Sequence, residues 1–327
     1  MKELTDILRN SPKYLYHYTD AGTLLGIIQN KEFWASYIRF MNDNTEYDLA
    51  KEILFNKLTT FIKSNFRDDN SLVERIKINF EAMIKRIDLF IISFSEKEND
   101  LDQWRAYGKS TPNYSLKIDV KSLSKNSNIL IEKNAVKERI SSYVYSTGCP
   151  TISKVLMPCI YDKEDQELLI DEILLDSFNH IKNYNEDEIK FTDYIARRFV
   201  YYAPLIKNEV YKNEKEWRIV ILFNEHDQRL AEQKQKEENE KNHIIDLNEE
   251  EKVEKINFRT NGSYFIPYYK MKFFNTDCIK RVYIGPCPDL ATVHESVEYM
   301  LRKNGFEIKK IKDDKIIMDS GLAYRNW

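Results

Sequence analysis

The apolar positions of this chain change period from segment to segment, and each change marks an element. Leu24, Leu25, Ile27 and Ile28 recur at helical spacing behind Thr19 and Asp20, either of which can cap a helix running to about Asn30. Phe33-Trp34-Ala35-Ser36 then reads as a short strand. Two helical stretches follow, about 43–66 and 71–88, as an antiparallel pair on one side of a sheet. The run Leu89-Phe90-Ile91-Ile92-Ser93-Phe94-Ser95 is short, apolar and closed by small polar residues, which predicts a buried strand. A short helix from Asp100 to Tyr107 ends where Gly108 supplies a left-handed cap.

Further strands are predicted near Tyr114 to Ile118, Lys154 to Tyr161 and Glu216 to Phe223, with helices at about 163–183 and 186–208 between the last two. Residues 225–254 are mostly Glu, Lys, Gln and Asn, a composition that predicts a solvated helix or a mobile, charged insert outside the core. Strands return at Tyr264 to Phe273 and Lys280 to Ile284, followed by a helix from Asp289 to Lys303 and two short strands between Phe306 and Met318. Strands and helices mix without regular βαβ alternation, so the expected class is α+β: a mixed, mainly antiparallel sheet core with flanking helices. The chain reads as one domain over 1–327, with helical insertions at about 43–88 and 163–208.

Charge and cysteine usage narrow the function classes. The 50 basic and 53 acidic residues leave a net charge of -3, so any site for a polyanion must be local. The four cysteines show no C-x-x-C and no histidine at ligand spacing, which argues against zinc and against a disulfide framework and fits a reducing cytoplasm. No metal is expected. No run of eighteen apolar residues and no secretory leader are visible, so no membrane partner is expected. The 8 glycines form neither a dinucleotide fingerprint nor a P-loop, so a bound nucleotide would need another scaffold.

Several clusters carry residue types suited to chemistry. His17-Tyr18-Thr19 stands at a strand-to-helix junction, where an imidazole can face a cleft beside a helix N-terminus; the structural alternative is a histidine satisfied by a backbone carbonyl. Ser93 and Ser95 share a strand face and can orient a ligand amide, or simply end the strand. Trp104 and Tyr107 share a helix face, as core or as a wall for a flat heterocycle. Asn42-Asp43-x-x-Glu46 has capping-box form, and only further carboxylates would make it a metal site. In Glu214-Lys215-Glu216-Trp217-Arg218, strand alternation puts Glu214, Glu216 and Arg218 on one face. That face is either a set of ion pairs, with Arg259 as a further partner, or a cleft edge. There, one carboxylate would stabilise a sugar cation while the other orients a nucleophile. Arg218 and Arg259 can also hold a pyrophosphate.

Read in order, L-Y-H-Y-T-D, F-W-A-S, N-D-x-x-E, S-F-S-E, Q-W-R-A-Y-G, E-K-E-W-R and Y-I-G-P resemble a bacterial family catalogued as domain of unknown function 2971. The chain departs from it at Ala323, where the family places a proline, and at Lys109 to Tyr114, a loop that is often glycine-rich there. A more distant similarity is to NAD-dependent ADP-ribosyltransferases. They too carry a histidine or arginine, a hydroxyl motif and a Glu-x-Glu in this order, and they bind NAD without a glycine-rich loop. That similarity implies that His17 holds an NAD ribose, that Ser93 and Ser95 orient the nicotinamide side and that Glu216 is the catalytic carboxylate.

The expected function is an ADP-ribosyltransferase-like enzyme using NAD as co-substrate. Its acceptor would be a macromolecule, nucleic acid or protein, in a toxin or phage-defence setting with an antitoxin or defence-system partner. Catalytic roles fall to Glu216, Glu214 and His17, and cofactor contacts to Tyr18, Thr19, Ser93, Ser95, Trp104, Tyr107, Arg218 and Arg259. The alternatives are a non-enzymatic nucleotide- or peptide-binding sensor and a metal-dependent nuclease built on Asp43, Glu46 and Glu216.

Overall fold

The computed structural model describes residues 7–40, 45–66, 70–85, 88–106, 112–137, 140, 153–184, 187–223, 256–260, 262–308 and 316–322. The Gly108 cap, Asn42-Asp43, the 225–254 insert and Tyr107 lie outside them. Strand β1 (Tyr14–Thr19) leads into α1 (Ala21–Asn30), where the Asp20 side chain accepts from the Thr23 amide at 2.7 Å, the expected cap. Then come β2 (Glu32–Tyr37), the helices α2 (Thr45–Asn65) and α3 (Asn70–Ile84), β3 (Asp88–Ser95) and the short α4 (Leu101–Ala106). The second helix ends earlier than its periodicity predicted, because Asp88 already belongs to β3.

Next are β4 (Tyr114–Asp119), α5 (Val120–Ser127), β5 (Ser153–Pro158), α6 (Lys163–Tyr184), α7 (Glu188–Tyr202) and β6 (Glu216–Phe223). The helix expected to reach residue 208 stops at Tyr202, where Pro204 turns the chain into a 3-10 segment, Ala203–Leu205. The last elements are β7 (Ile256–Thr260), β8 (Phe265–Lys272), β9 (Ile279–Ile284), α8 (Leu290–Lys303) and β10 (Ile317–Asp319). Of the two short strands expected before Met318, the described residues contain β10.

The strands form one ten-stranded open sheet, in the order β10-β9-β4-β1-β3-β2-β8-β7, with β6 on β3 and β5 on β6. Every pairing is antiparallel except β10 with β9. Alternation along β3 sends Leu89 and Ile91 to one face and Phe90, Ile92 and Phe94 to the other. The first face packs on α2, α3, α6 and α7 through Leu54, Phe80, Leu169 and Phe199, and the second on α1, α5 and α8 through Leu24, Leu123 and Leu301.

The position of the site follows from the neighbours of β3. Its whole length pairs with β6 on one edge, from Asp88 opposite Phe223 to Ser95 opposite Glu216. The other edge is shared: β2 pairs at Phe90 and Ile91, and β1 pairs at Ser95. Between these two attachments β1 and β2 diverge, leaving a fork beside Ile92, Ser93 and Phe94. Beyond β9, Gly285 lets the backbone pass close to α4, since a Cβ there would sit 2.9 Å from the Trp104 ring and 3.0 Å from the Asn113 carbonyl oxygen.

Candidate active site

The fork opens into a cleft of about 400 Å³, within the range of small-molecule sites. On the helical face, the apolar rows of β3 and β6 end just as their sequences turn polar. Ile91 gives way to Ser93 and Ser95, and Val220 to Arg218 and Glu216. These polar ends form one wall. His17, Tyr18, Thr19, Trp34 and Ser36 contribute from β1 and β2, and Arg259 from β7.

His17 fills the fork itself. Its Nδ1 donates to the Ser93 carbonyl at 2.9 Å, so the proton is on Nδ1 and a neutral ring offers Nε2 as an acceptor. The ring lies against Phe33 and Phe94, with centroids at 5.4 and 5.5 Å. Burial in this apolar setting pushes its pKa below 6.5, and the Ser93 bond only partly opposes that. The unfolded chain therefore takes up a proton that the folded chain refuses, so His17 costs stability as pH falls below 6.5. Nitrogen-detected NMR at pH 6 is expected to show His17 as a neutral Nδ1-H tautomer, and an imidazolium signal would contradict this arrangement.

The carboxylates sit in a charge cluster. Both Glu216 oxygens meet Arg218, at 2.8 Å to Nε and 2.9 Å to Nη2, and Oε2 also takes Lys207 Nζ at 2.7 Å. Burial alone would raise the Glu216 pKa, but Arg218 and Lys207 outweigh it and hold the carboxyl at about 2. Burial alone would likewise lower Lys207, and Glu216 reverses this, so the ammonium stays charged. The Glu216 amide donates to the Tyr161 hydroxyl at 2.9 Å, fixing the strand entry. Glu214 accepts from the same Lys207 at 2.6 Å, through Oε2 alone among the described residues, and its side chain is 24% exposed against 5% for Glu216.

Several expectations change here. Glu214 does not share a strand face with Glu216 and Arg218; it ends a 3-10 segment, Glu209–Glu214, and Lys215 turns the chain through a left-handed φ of 45° before β6 begins. Trp104 is not a cleft wall. It is 3% exposed, packs edge-on against Tyr18 at 4.9 Å and donates to Asn99 Oδ1, within a satellite core with Tyr16 and Tyr283. The Ser95 hydroxyl is committed to the backbone, donating to the Glu214 carbonyl and accepting from the Lys97 amide. Tyr18 lines the cleft, but its hydroxyl donates to the Lys97 carbonyl.

Arg259 lines the cleft from β7. Its Nη2 donates to Ser36 Oγ at 2.9 Å, its Nε is buried without a partner, and it makes no ion pair with a described residue. Lys207 was not anticipated; its signal was a single lysine directly after the apolar Ala203-Pro204-Leu205-Ile206. No group of three potential metal ligands occurs among the described residues, and the Asp43 and Glu46 side chains lie outside them.

Fold and site thus define a mixed helix-and-sheet protein with an open, mainly antiparallel sheet and a polar cleft at a strand fork. Residues 103–219 match the family described as Protein of unknown function (DUF2971), which supports that family resemblance over the stretch carrying Lys207, Glu214, Glu216 and Arg218. No curated protein and no solved structure matches the chain. No helix among the described residues is long and apolar enough to cross a membrane.

Proposed function

We propose that the cleft binds NAD and transfers its ADP-ribose to a macromolecular acceptor, releasing nicotinamide. The reading rests on one observation: His17, Ser93, Glu214, Glu216, Arg218 and Arg259, drawn from distant parts of the chain, line a single cleft. With Nδ1 committed to the Ser93 carbonyl, the His17 Nε2 is the ring atom left to accept from a ribose hydroxyl, and the Arg259 guanidinium in the cleft wall suits a pyrophosphate oxygen. In the reaction the bond from the ribose C1′ to the nicotinamide nitrogen breaks, with its electron pair leaving on nicotinamide. The acceptor oxygen or nitrogen then bonds to C1′ and gives up its proton.

Glu214 and Glu216 divide the work on the developing cation. Glu216 supplies a fixed negative charge, its oxygens already held by Arg218 and Lys207. Glu214, more exposed and with Oε1 uncommitted among the described residues, is the carboxylate placed to meet the ribose or take the acceptor proton. This activity fits a cytoplasmic toxin or phage-defence effector that an antitoxin partner holds in check.

Incubating purified protein with NAD and following free nicotinamide by chromatography tests the proposal, and release above a protein-free control is the expected result. The neutrality of the Lys207, Arg218, Glu214 and Glu216 cluster favours a second reading, a binding-only sensor. Saturable NAD binding with no nicotinamide release would select it.

A further inference from the structure

The wall of the cleft contributed by Trp34 and Ser36 of β2 and Arg259 of β7 continues onto β8, outside the cleft, as a stripe of rings and cations. Strand alternation puts Trp34, Tyr268, Lys270, Lys272 and Arg259 on one face: Ser36 pairs with Tyr268, Trp34 with Lys270, and Arg259 with Ile266. Trp34 and Tyr268 stack at 4.6 Å with their planes 31° apart. Where β8 begins, Tyr264 lies against Phe40, which lines the cleft, at 5.8 Å; the two rings are 48% and 37% exposed. From Tyr264 to Lys272 the stripe runs roughly 26 Å at strand rise.

Its charge is one-sided in a chain that is acidic overall. Residues 256–274 contain Arg259, Lys270 and Lys272 and no Asp or Glu, against a net charge of -3 for the whole chain. The acid beside them, Glu32, is 4% exposed and already tied to Trp34 Nε1 at 2.8 Å and Lys270 Nζ at 3.4 Å. The exposed rings of Tyr264 and Phe40 and the partly exposed Trp34, which the buried Tyr268 backs, stand among these cations. Such a surface suits unpaired bases on a phosphate backbone, whereas an acidic peptide would use the cations but leave the rings idle. A duplex hides its base faces and would use only the charges.

The geometry points to a seat for single-stranded nucleic acid along β8, leading the strand into the cleft between Tyr264 and Arg259. As a source of the acceptor it rests on the proposed transferase reading; as a binding surface it stands apart from it.

Fluorescence anisotropy of labelled 20-mer oligodeoxythymidine and oligouridine, without NAD, tests the seat. Three phosphate contacts give a log-log salt slope of about -2, or about twentyfold weaker binding at 200 mM than at 50 mM salt. Tyr264→Ala is expected to weaken binding about tenfold, and Lys272→Ala to flatten the slope by about 0.7. Both side chains are exposed, so unchanged thermal melting confirms that the variants fold. A duplex of equal length is expected to bind at least tenfold more weakly. No binding of either oligonucleotide, or binding that both substitutions leave unchanged, overturns the seat. A nicotinamide assay on the same preparation separates the two ideas: oligonucleotide binding without release keeps the seat and removes the transferase, and the reverse result does the opposite.

Discussion

Replacing Glu216 with alanine is expected to lower the free energy of unfolding by about 3–5 kcal/mol, the cost of taking from the buried Arg218 the carboxylate that accepts two of its hydrogen bonds and leaving Lys207 with Glu214. Arg218 is 2% exposed and the Lys207 side chain 7% exposed, so neither can turn to water when the carboxylate is gone. Urea denaturation at pH 7 reads the effect directly. The pH dependence gives an independent reading. The Glu216 pKa falls from an ordinary 4.5 to about 2 on folding, so its stabilisation is fully present above 4.5 and is lost as pH drops towards 2. The wild-type protein should therefore lose about 3 kcal/mol more than Glu216→Ala across that window. Parallel curves for the two proteins would mean that water already compensates the cluster.

Replacing Glu214 with glutamine separates chemistry from architecture. On the proposed reaction, nicotinamide release should fall about a hundredfold, because the carboxylate with a free oxygen loses its charge where the sugar cation develops. Stability should change by no more than about 1 kcal/mol, since a partly exposed pair with Lys207 is all that weakens. Glu216→Gln would lose both rate and stability. Full turnover in Glu214→Gln, measured alongside its urea midpoint, would take this residue out of the mechanism and return the role to Glu216.

Much of this arrangement was legible from side-chain periodicity alone. The apolar run at 89–95 marked β3, and Asp20 marked the start of α1, because burial and capping act locally. The ends of β3 and β6, where apolar residues give way to Ser93, Ser95, Glu216 and Arg218, were visible as polar breaks in strands, and they line the cleft. What stayed hidden depended on non-local contacts or short segments. Helix α5 has eight mostly polar residues, and Val120 and Leu123 alone could not announce it. Glu214 looked like strand because the alternation ran unbroken through Lys215, whose left-handed turn has no glycine to signal it. Trp104 had the helical spacing of a wall or a core residue, and only Tyr18, eighty-six positions earlier, decided for core. Strand β7 has three partly buried and two exposed residues at the end of the sheet, and so little apolar contrast to read.

Both jaws of the fork hang from a single edge of β3, while the opposite edge stays zipped to β6 along its full length. Spreading the jaws to admit a bulkier guest would strain the imidazole-to-carbonyl tether, a cost near 1 kcal/mol, together with the His17–Phe33 ring contact, while the β3–β6 ladder stays untouched. The hinge of the mouth thus lies on one side of β3 and its anchor on the other, so a smaller side chain at residue 17 would loosen the opening before it touched the anchor.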